Sequence, residues 1–436
     1  MTSRPFLPIR EIYRYGVYRH RLLAPDGSVY VRPFIVIRNS YGVVVRFTNL
    51  HNYVGVFDGK VFRPLVSDAE KKLYYVCKML NYVIVEHYNE FGIDNVTQIN
   101  REALEAFFSE YALEAKIDGS FRGPQSIEKC VGTIVTFFGN LRRKLGERVL
   151  LANSDLVTER LIRTKCGEVL SKNVPAFQVK GISAPSDTFR ELPTKAFKIL
   201  LNLAFRYAPD IAFALCLQAF AGLRAGEVCN VRQEGSQFSG GIVFTRVGDD
   251  VRKIEIDLTR EIAMRRDGVS VGRIKKARIQ CVYPPFLDAF LAAYTFHLEY
   301  LSSHTFETDY CPMFVNTRRK AMTYTDYSRR FNALVTKYFR PAMLESDDAD
   351  CRLYGQLLYE NKLGLHALRH WFSVQLVLHG EDIAQIQYWR GDKSPESAFT
   401  YLQNKGDLVR ELERTSADFI NIALAYGYRK ARGFIE

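Results

Sequence analysis

No two of the eight cysteines stand two residues apart. That spacing opens most zinc sites and dithiol redox centres, so neither chemistry has a local signature here. Several cysteines lie in apolar runs, Cys216 in IAFALCLQAF among them. They read as buried free thiols, which suits a reducing, intracellular compartment. The opening MTSRPFLPIR lacks the apolar core of a signal peptide. No uncharged apolar stretch reaches the ~18 residues that a membrane span requires. No low-complexity tract argues for disorder, and no internal repeat is evident.

What is present is size and positive charge. A chain of 436 residues, 47% of them hydrophobic, is expected to build two or three domains with real cores. Sixty Lys and Arg against 48 Asp and Glu leave a net charge of +12. Such a surplus makes a polyanion a candidate partner, because each phosphate neutralised by Lys or Arg releases a counterion.

The composition shifts along the chain. Residues 1–65 read as a β-rich module: SVYVRPFIVI, GVVVRF and YVGVF are rich in Val, Tyr, Phe and Ile, and PDG, NSYG and FDGK between such runs have turn chemistry. The first fifty residues carry eight arginines, no lysine, and only Glu11 and Asp26 as acids, a pattern suited to an extra DNA contact. From residue 66 to 150 the period becomes helical, within an expected helical domain of residues 66–180. Ser67 is the expected N-cap of a first helix that ends at Gly92, and NREALEAFFSEYALEAK and SIEKCVGTIVTFFGNLRRKLG give two more. The cations Arg142, Arg143 and Lys144 would favour the last turn of that third helix with or without DNA. The stretch 173–193 reads as an interdomain linker. Residues 181–436 form the last domain, with strands in GGIVFTRV and RKIEIDL, a further strand pair around VGRIKKARIQCVY, and helices from Pro285 onward. The expected fold is therefore multidomain and mainly α, with small β elements.

Two short motifs stand out in that last domain. In AGLRAGEV, Arg224 and Glu227 are three residues apart and share a helix face. In HALRHWFS, His366, Arg369 and His370 crowd one helical turn. Taken singly, each is an ion pair or a core histidine beside a surface arginine. In this order, and followed by WRGDKSPESAFTYLQN, they resemble the arginine and tyrosine boxes of the tyrosine recombinase (phage integrase) family. Tyr401 follows Asp392 by nine residues, which is the family's spacing.

That resemblance covers about 190–405, and the helical segment before it is similar to the family's core-binding domain. It implies a mixed α/β catalytic domain that cuts and rejoins DNA at a specific site through a 3′-phosphotyrosyl intermediate and a Holliday junction. Arg224 and Arg369 would clamp the scissile phosphate, His366 would assist, Glu227 would orient Arg224, and His370 would support the turn. Tyr401 would be the nucleophile. The general-acid lysine falls to Lys275, with Lys276 and Lys253 as alternatives. Asp392 stands where the family has a histidine or tryptophan donor.

The resemblance further implies no cofactor and no metal. It implies double-stranded DNA as partner, a homotetramer on synapsed sites with room for a directionality or accessory factor, and a mobile element as the setting. The location would be cytoplasmic, nucleoid-associated in a prokaryote. A C-terminal tail helix after Tyr401 would dock on a neighbouring protomer. Two other readings remain open: an integrase-like DNA-binding protein that no longer cleaves, and a type IB topoisomerase.

Overall fold

The computed structural model describes residues 13–55, 67–116, 119–163, 169–182, 191–234, 241–261, 263, 265–303, 310–391 and 421–422. The chain divides into two compact units, one of residues 1–26 with 30–187 and one of 27–29 with 188–436.

The first unit opens with an antiparallel sheet of β1 (Tyr13–Leu23), β2 (Val29–Asn39) and β3 (Val44–Phe47), in that order. The β2–β3 turn is built by Asn39, whose side-chain oxygen accepts from the N–H groups of Tyr41 and Val43. Of YVGVF, Tyr53, Val54 and Gly55 are described, and they do not continue the sheet. Leu50–Val54 forms a 3₁₀ turn that buries Leu50, His51 and Val54 together, and Gly55 closes it with φ 71. Three side chains buried on one side of a single turn outweigh the β propensity of the run.

Helix α1 (Ser67–Leu80) then leads into a π turn over Asn81–Glu86. The cause lies in Asn81, whose amide accepts from and donates to the backbone of Tyr15 at 2.7 and 2.9 Å, as a strand neighbour would. After α2 (Tyr88–Phe91), Gly92 ends the helical run with φ 66. Helix α3 (Arg101–Leu113) is capped by the Asn100 side chain on the Ala103 N–H. Helix α4 (Pro124–Leu145) starts on its proline, and α5 (Asn153–Leu156) follows. Ile35 of the sheet lies in one apolar core with Leu73, Phe107 and Phe138 of the helices. In the last turn of α4, Arg142 is committed to structure: it donates to the carbonyls of Val149 and Leu151 and pairs with Glu147.

Part of the expected linker is ordered β structure. Strands β4 (Val157–Arg163) and β5 (Val169–Pro175) pair as a two-stranded antiparallel ribbon. Most of β5 is exposed, so there is no alternation of apolar and polar residues from which to read it.

The second unit is built round α7 (Pro209–Phe220), which follows α6 (Thr194–Tyr207). Every residue of α7 from Asp210 to Phe220 is buried, and α6, α9 (Leu287–Ser302) and α13 (His366–Leu378) pack on it. Its one buried charge, Asp210, is held by both arms of the Arg330 guanidinium at 2.6 Å. After a short α8 (Ala225–Val228), β6 (Ile242–Val247), β7 (Asp250–Asp257) and β8 (Ile279–Cys281) form an antiparallel sheet in sequence order. The strand pair expected around VGRIKKARIQCVY is a single short strand, β8, preceded by a long connection from β7. Helices α10 (Tyr324–Leu334), α11 (Arg340–Leu344), α12 (Ala349–Glu360) and α14 (Ile383–Arg390) complete the unit. Of the tail, Asn421 and Ile422 are described; both are helical, and Ile422 packs against the core of this same unit. No helix among the described residues is long and apolar enough to cross a membrane.

Candidate active site

Chain direction changes at the end of α7. Gly222 takes φ 64, and a Cβ there would come within 2.5 Å of the Phe372 ring on α13. This position therefore demands glycine for both backbone and space. The turn delivers Arg224 to the N-cap of α8, where its backbone N–H donates to Glu227 at 3.0 Å and its guanidinium pairs with the same carboxylate at 3.0 Å. Glu227 is fully buried and Arg224 about a quarter exposed (24%).

Glu227 holds a second guanidinium. Arg278, just before β8, reaches it with two parallel bonds of 3.0 and 2.9 Å. Burial pushes the Glu227 carboxyl up, but the hydrogen bonds and charge of Arg278, with the Arg224 backbone N–H, outweigh it and hold the group below its ordinary value. One buried carboxylate thus organises two arginines, the second of them fifty-one residues beyond it in the chain.

Arg369, one turn into α13, joins the two ends of the site. Its Nη1 donates to the carbonyl of Gly222 and its Nη2 to the carbonyl of Arg390, the latter at 2.7 Å. It is almost fully buried, at 1% exposure. His366, which opens α13, is exposed, and His370 is half-buried. The segments that read as separate boxes in the sequence, around residues 222–227, 366–370 and 390, therefore meet through one side chain.

Several connections were not legible in the sequence. The buried Gln218 donates to the carbonyls of Leu223 and Leu365, the residues before Arg224 and His366, and accepts from the Tyr327 hydroxyl at 2.7 Å. Gln280 accepts from Arg278 Nε and donates to the Trp389 carbonyl, both at 2.7 Å. Gly391, with φ 61, lies so close to Arg278 that a Cβ would come 2.3 Å from its Nε. Beside this contact a cavity of about 370 Å³ opens, lined by Lys276, Arg278, Cys281, Gln387 and Tyr388 among others.

The lysines divide in two. Lys253, on β7, is bonded to Glu255 at 2.7 Å, and that bond holds its ammonium above the ordinary lysine value. Lys275 and Lys276 lie in the β7–β8 connection, Lys275 exposed. The same connection is pressed against α8: a Cβ on Gly272 would meet the Gly226 carbonyl oxygen at 2.2 Å, and Arg278 Nη1 bonds the Lys276 carbonyl at 3.0 Å. Both lysines are thereby tethered next to the Arg224 turn. Gly272→Ala is expected to lift this connection off α8, costing about 1–3 kcal/mol as overpacking does. A lower melting temperature and faster amide exchange at residues 224–228 would report it; unchanged exchange there would show that the tether is unimportant.

Asp392 and Tyr401 lie outside the described residues. Among the described residues, no group of three or more His, Cys, Asp or Glu side chains is placed to hold a metal ion. Cys216 is a buried free thiol whose pKa burial pushes up.

No protein-family model matches the chain, and no curated protein matches it. Solved structures with a similar course of the chain include the Tn1549 transposon integrase in complex with transposon right-end DNA, at 14% identity and TM-score 0.46, covering 81% of this chain and 93% of that one. The XerH site-specific recombinase bound to its difH substrate shares 14% identity at TM-score 0.46, covering 76% of each chain. A lambda integrase dimer bound to a COC′ core site shares 13% at TM-score 0.45, covering 82% of this chain and 95% of that one. At such identities and scores, what the protein does has to be read from its own residues.

Proposed function

We propose that this chain is a site-specific DNA recombinase of the tyrosine recombinase class, cutting and rejoining DNA through a phosphotyrosyl intermediate. The observation that carries the reading is the bridge made by Arg369, which ties the Gly222 turn to the end of α14. Two guanidiniums already share the Glu227 carboxylate in that turn, so it holds a local surplus of positive charge. An anion is the natural complement, and arginines fix a phosphate's non-bridging oxygens with directional, permanently charged donors.

The chemistry follows from those parts. The Tyr401 hydroxyl gives up its proton, to His366 or to water, as its oxygen attacks the scissile phosphorus, and the P–O bond to tyrosine forms as the bond to the 5′-oxygen breaks. Arg224 and Arg369 stabilise the charge that grows on the phosphate, with His366 donating to the same oxygens. The departing 5′-oxygen takes a proton from Lys275 or Lys276; the bond to Glu255 makes Lys253 the weaker candidate. Asp392 stands near this machinery in sequence, and as a carboxylate it would need a cation to face. Because the link to tyrosine conserves the phosphodiester energy, a partner 5′-hydroxyl can reverse the step without a nucleotide cofactor.

Arg369 is buried and bonded to two carbonyls, so the phosphate reaches it only when DNA binding opens this arrangement. In the complete reaction four protomers would hold two DNA sites and exchange strands through a Holliday junction, the setting being a mobile element.

The test is a nicked duplex that traps the intermediate. The expected result is a covalent protein–DNA adduct, with the tryptic peptide containing Tyr401 carrying the nucleotide. An adduct on any other residue overturns the assignment. The burial of Arg369 favours one other reading, an integrase-like protein that binds DNA without cutting it, and specific binding with no adduct would select that reading.

A further inference from the structure

The sheet of the first unit has a second face outside its apolar core cluster, on which Val36 is fully buried and Phe34 packs edge-on to the buried His51 at 4.7 Å between centroids. Tyr15, Val17 and Ile35 belong to the helical core. Strand alternation then puts Tyr18, His20, Phe34 and Phe47 on the opposite side. There the rings form a chain across all three strands: His20 to Phe34 at 6.3 Å, Phe34 to Phe47 at 5.8 Å and Phe47 to Tyr18 at 5.4 Å between centroids. Phe47 is 55% exposed, and His20 is exposed beside it.

The strands themselves carry charge of one sign, although Arg14 and Arg19 are paired with Glu86 and Glu70 of neighbouring elements. The three strands contain six arginines and no lysine or carboxylate. On the ring side, the Arg32 guanidinium lies 5.8 Å from the centre of Phe34. Arg38 crosses Gly16 and is anchored on the carbonyls of Val17 and Gly42 rather than on an acid.

A floor of rings fringed by guanidiniums suits bases that are out of a double helix, which stack on the rings while the phosphates meet the arginines. Duplex DNA hides the faces of its bases. Reading it from a groove requires donors and acceptors that reach base edges, and apart from arginine this face offers mainly rings. We propose that the outer face of the β1–β3 sheet binds unpaired nucleic acid, stacking bases on Phe47 and its neighbouring rings. The proposal stands on the first unit alone, and its outcome is independent of the adduct assay.

The test uses the full-length chain and a fluorescent oligo(dT), read by anisotropy against the matching duplex. Phe47→Leu keeps an apolar side chain at an exposed position and removes the ring. It is expected to weaken oligo(dT) binding about tenfold and to leave duplex affinity and the melting temperature unchanged, while Phe47→Trp restores single-strand binding. Failure of the wild-type chain to bind oligo(dT) would overturn the proposal. So would unchanged oligo(dT) affinity in Phe47→Leu, or an equal loss on single strand and duplex, which would make the face a duplex contact.

Discussion

Arg369→Ala is expected to lower strand cleavage by about 10³-fold or more, the scale on which preorganised donors to a developing oxyanion act. It is also expected to cost stability, because two buried carbonyls, those of Gly222 and Arg390, lose a charged donor at once. Each such loss is worth about 1–3 kcal/mol. Arg369→Lys separates the two roles. A lysine keeps the charge but lacks the planar fork that reaches carbonyls on two segments, so it should recover part of the stability and little of the cleavage. Single-turnover cleavage of the nicked substrate and a thermal melt measure both, with Tyr401→Phe as the inactive reference. Cleavage by Arg369→Ala within tenfold of wild type would remove this arginine from the phosphate clamp.

The second large effect lies at Glu227. Removing its carboxylate with Glu227→Ala leaves Arg224 and Arg278 facing each other in a buried turn, and breaking a buried pair in this way costs about 3–5 kcal/mol. For a unit of this size the melting temperature should fall by roughly 10 °C. Arg278→Gln is the more informative partner. In the wild-type chain the Glu227 pKa is lowered, so its contribution is complete above the ordinary carboxylate range and is lost only as the pH falls through the lowered value. Without Arg278, the cost of burial is opposed by Arg224 alone, and that pKa rises from its wild-type position. The acid-side loss of stability and activity should then begin at a higher pH than in wild type, with kcat affected more than KM. An Arg278→Gln chain with an unshifted pH profile would show that Arg278 does not keep Glu227 ionised.

Part of this site was legible in the sequence because its signals are local. Arg224 with Glu227, and His366 with Arg369, stand three residues apart, and Gly222 marks the break that the structure turns into a left-handed bend. Arg278 was not legible. Its meaning comes from a carboxylate in another segment, while Lys275 and Lys276 beside it drew the eye as proton donors. Gln218 reads as one polar residue in an apolar helix, and nothing local says that it will join two loops. The same limit shaped the fold. Residues 173–175, the end of β5, fell within the expected linker because that strand is largely exposed and has no hydrophobic period. The π turn at Asn81 depends on a side chain that bonds a strand sixty-six residues earlier. At Tyr53 and Val54 propensity favoured a strand, but the shared burial of Leu50, His51 and Val54 decided for a 3₁₀ turn.

The bridge made by Arg369 also bears on how such a chain is synthesised. Its two carbonyl partners lie 147 residues before it and 21 residues after it. While a ribosome is still short of Arg390, Arg369 has the Gly222 carbonyl but not its second partner, and the bridge is open on that side. Closure of the bridge between the Gly222 turn and the end of α14 therefore waits for the synthesis of α14.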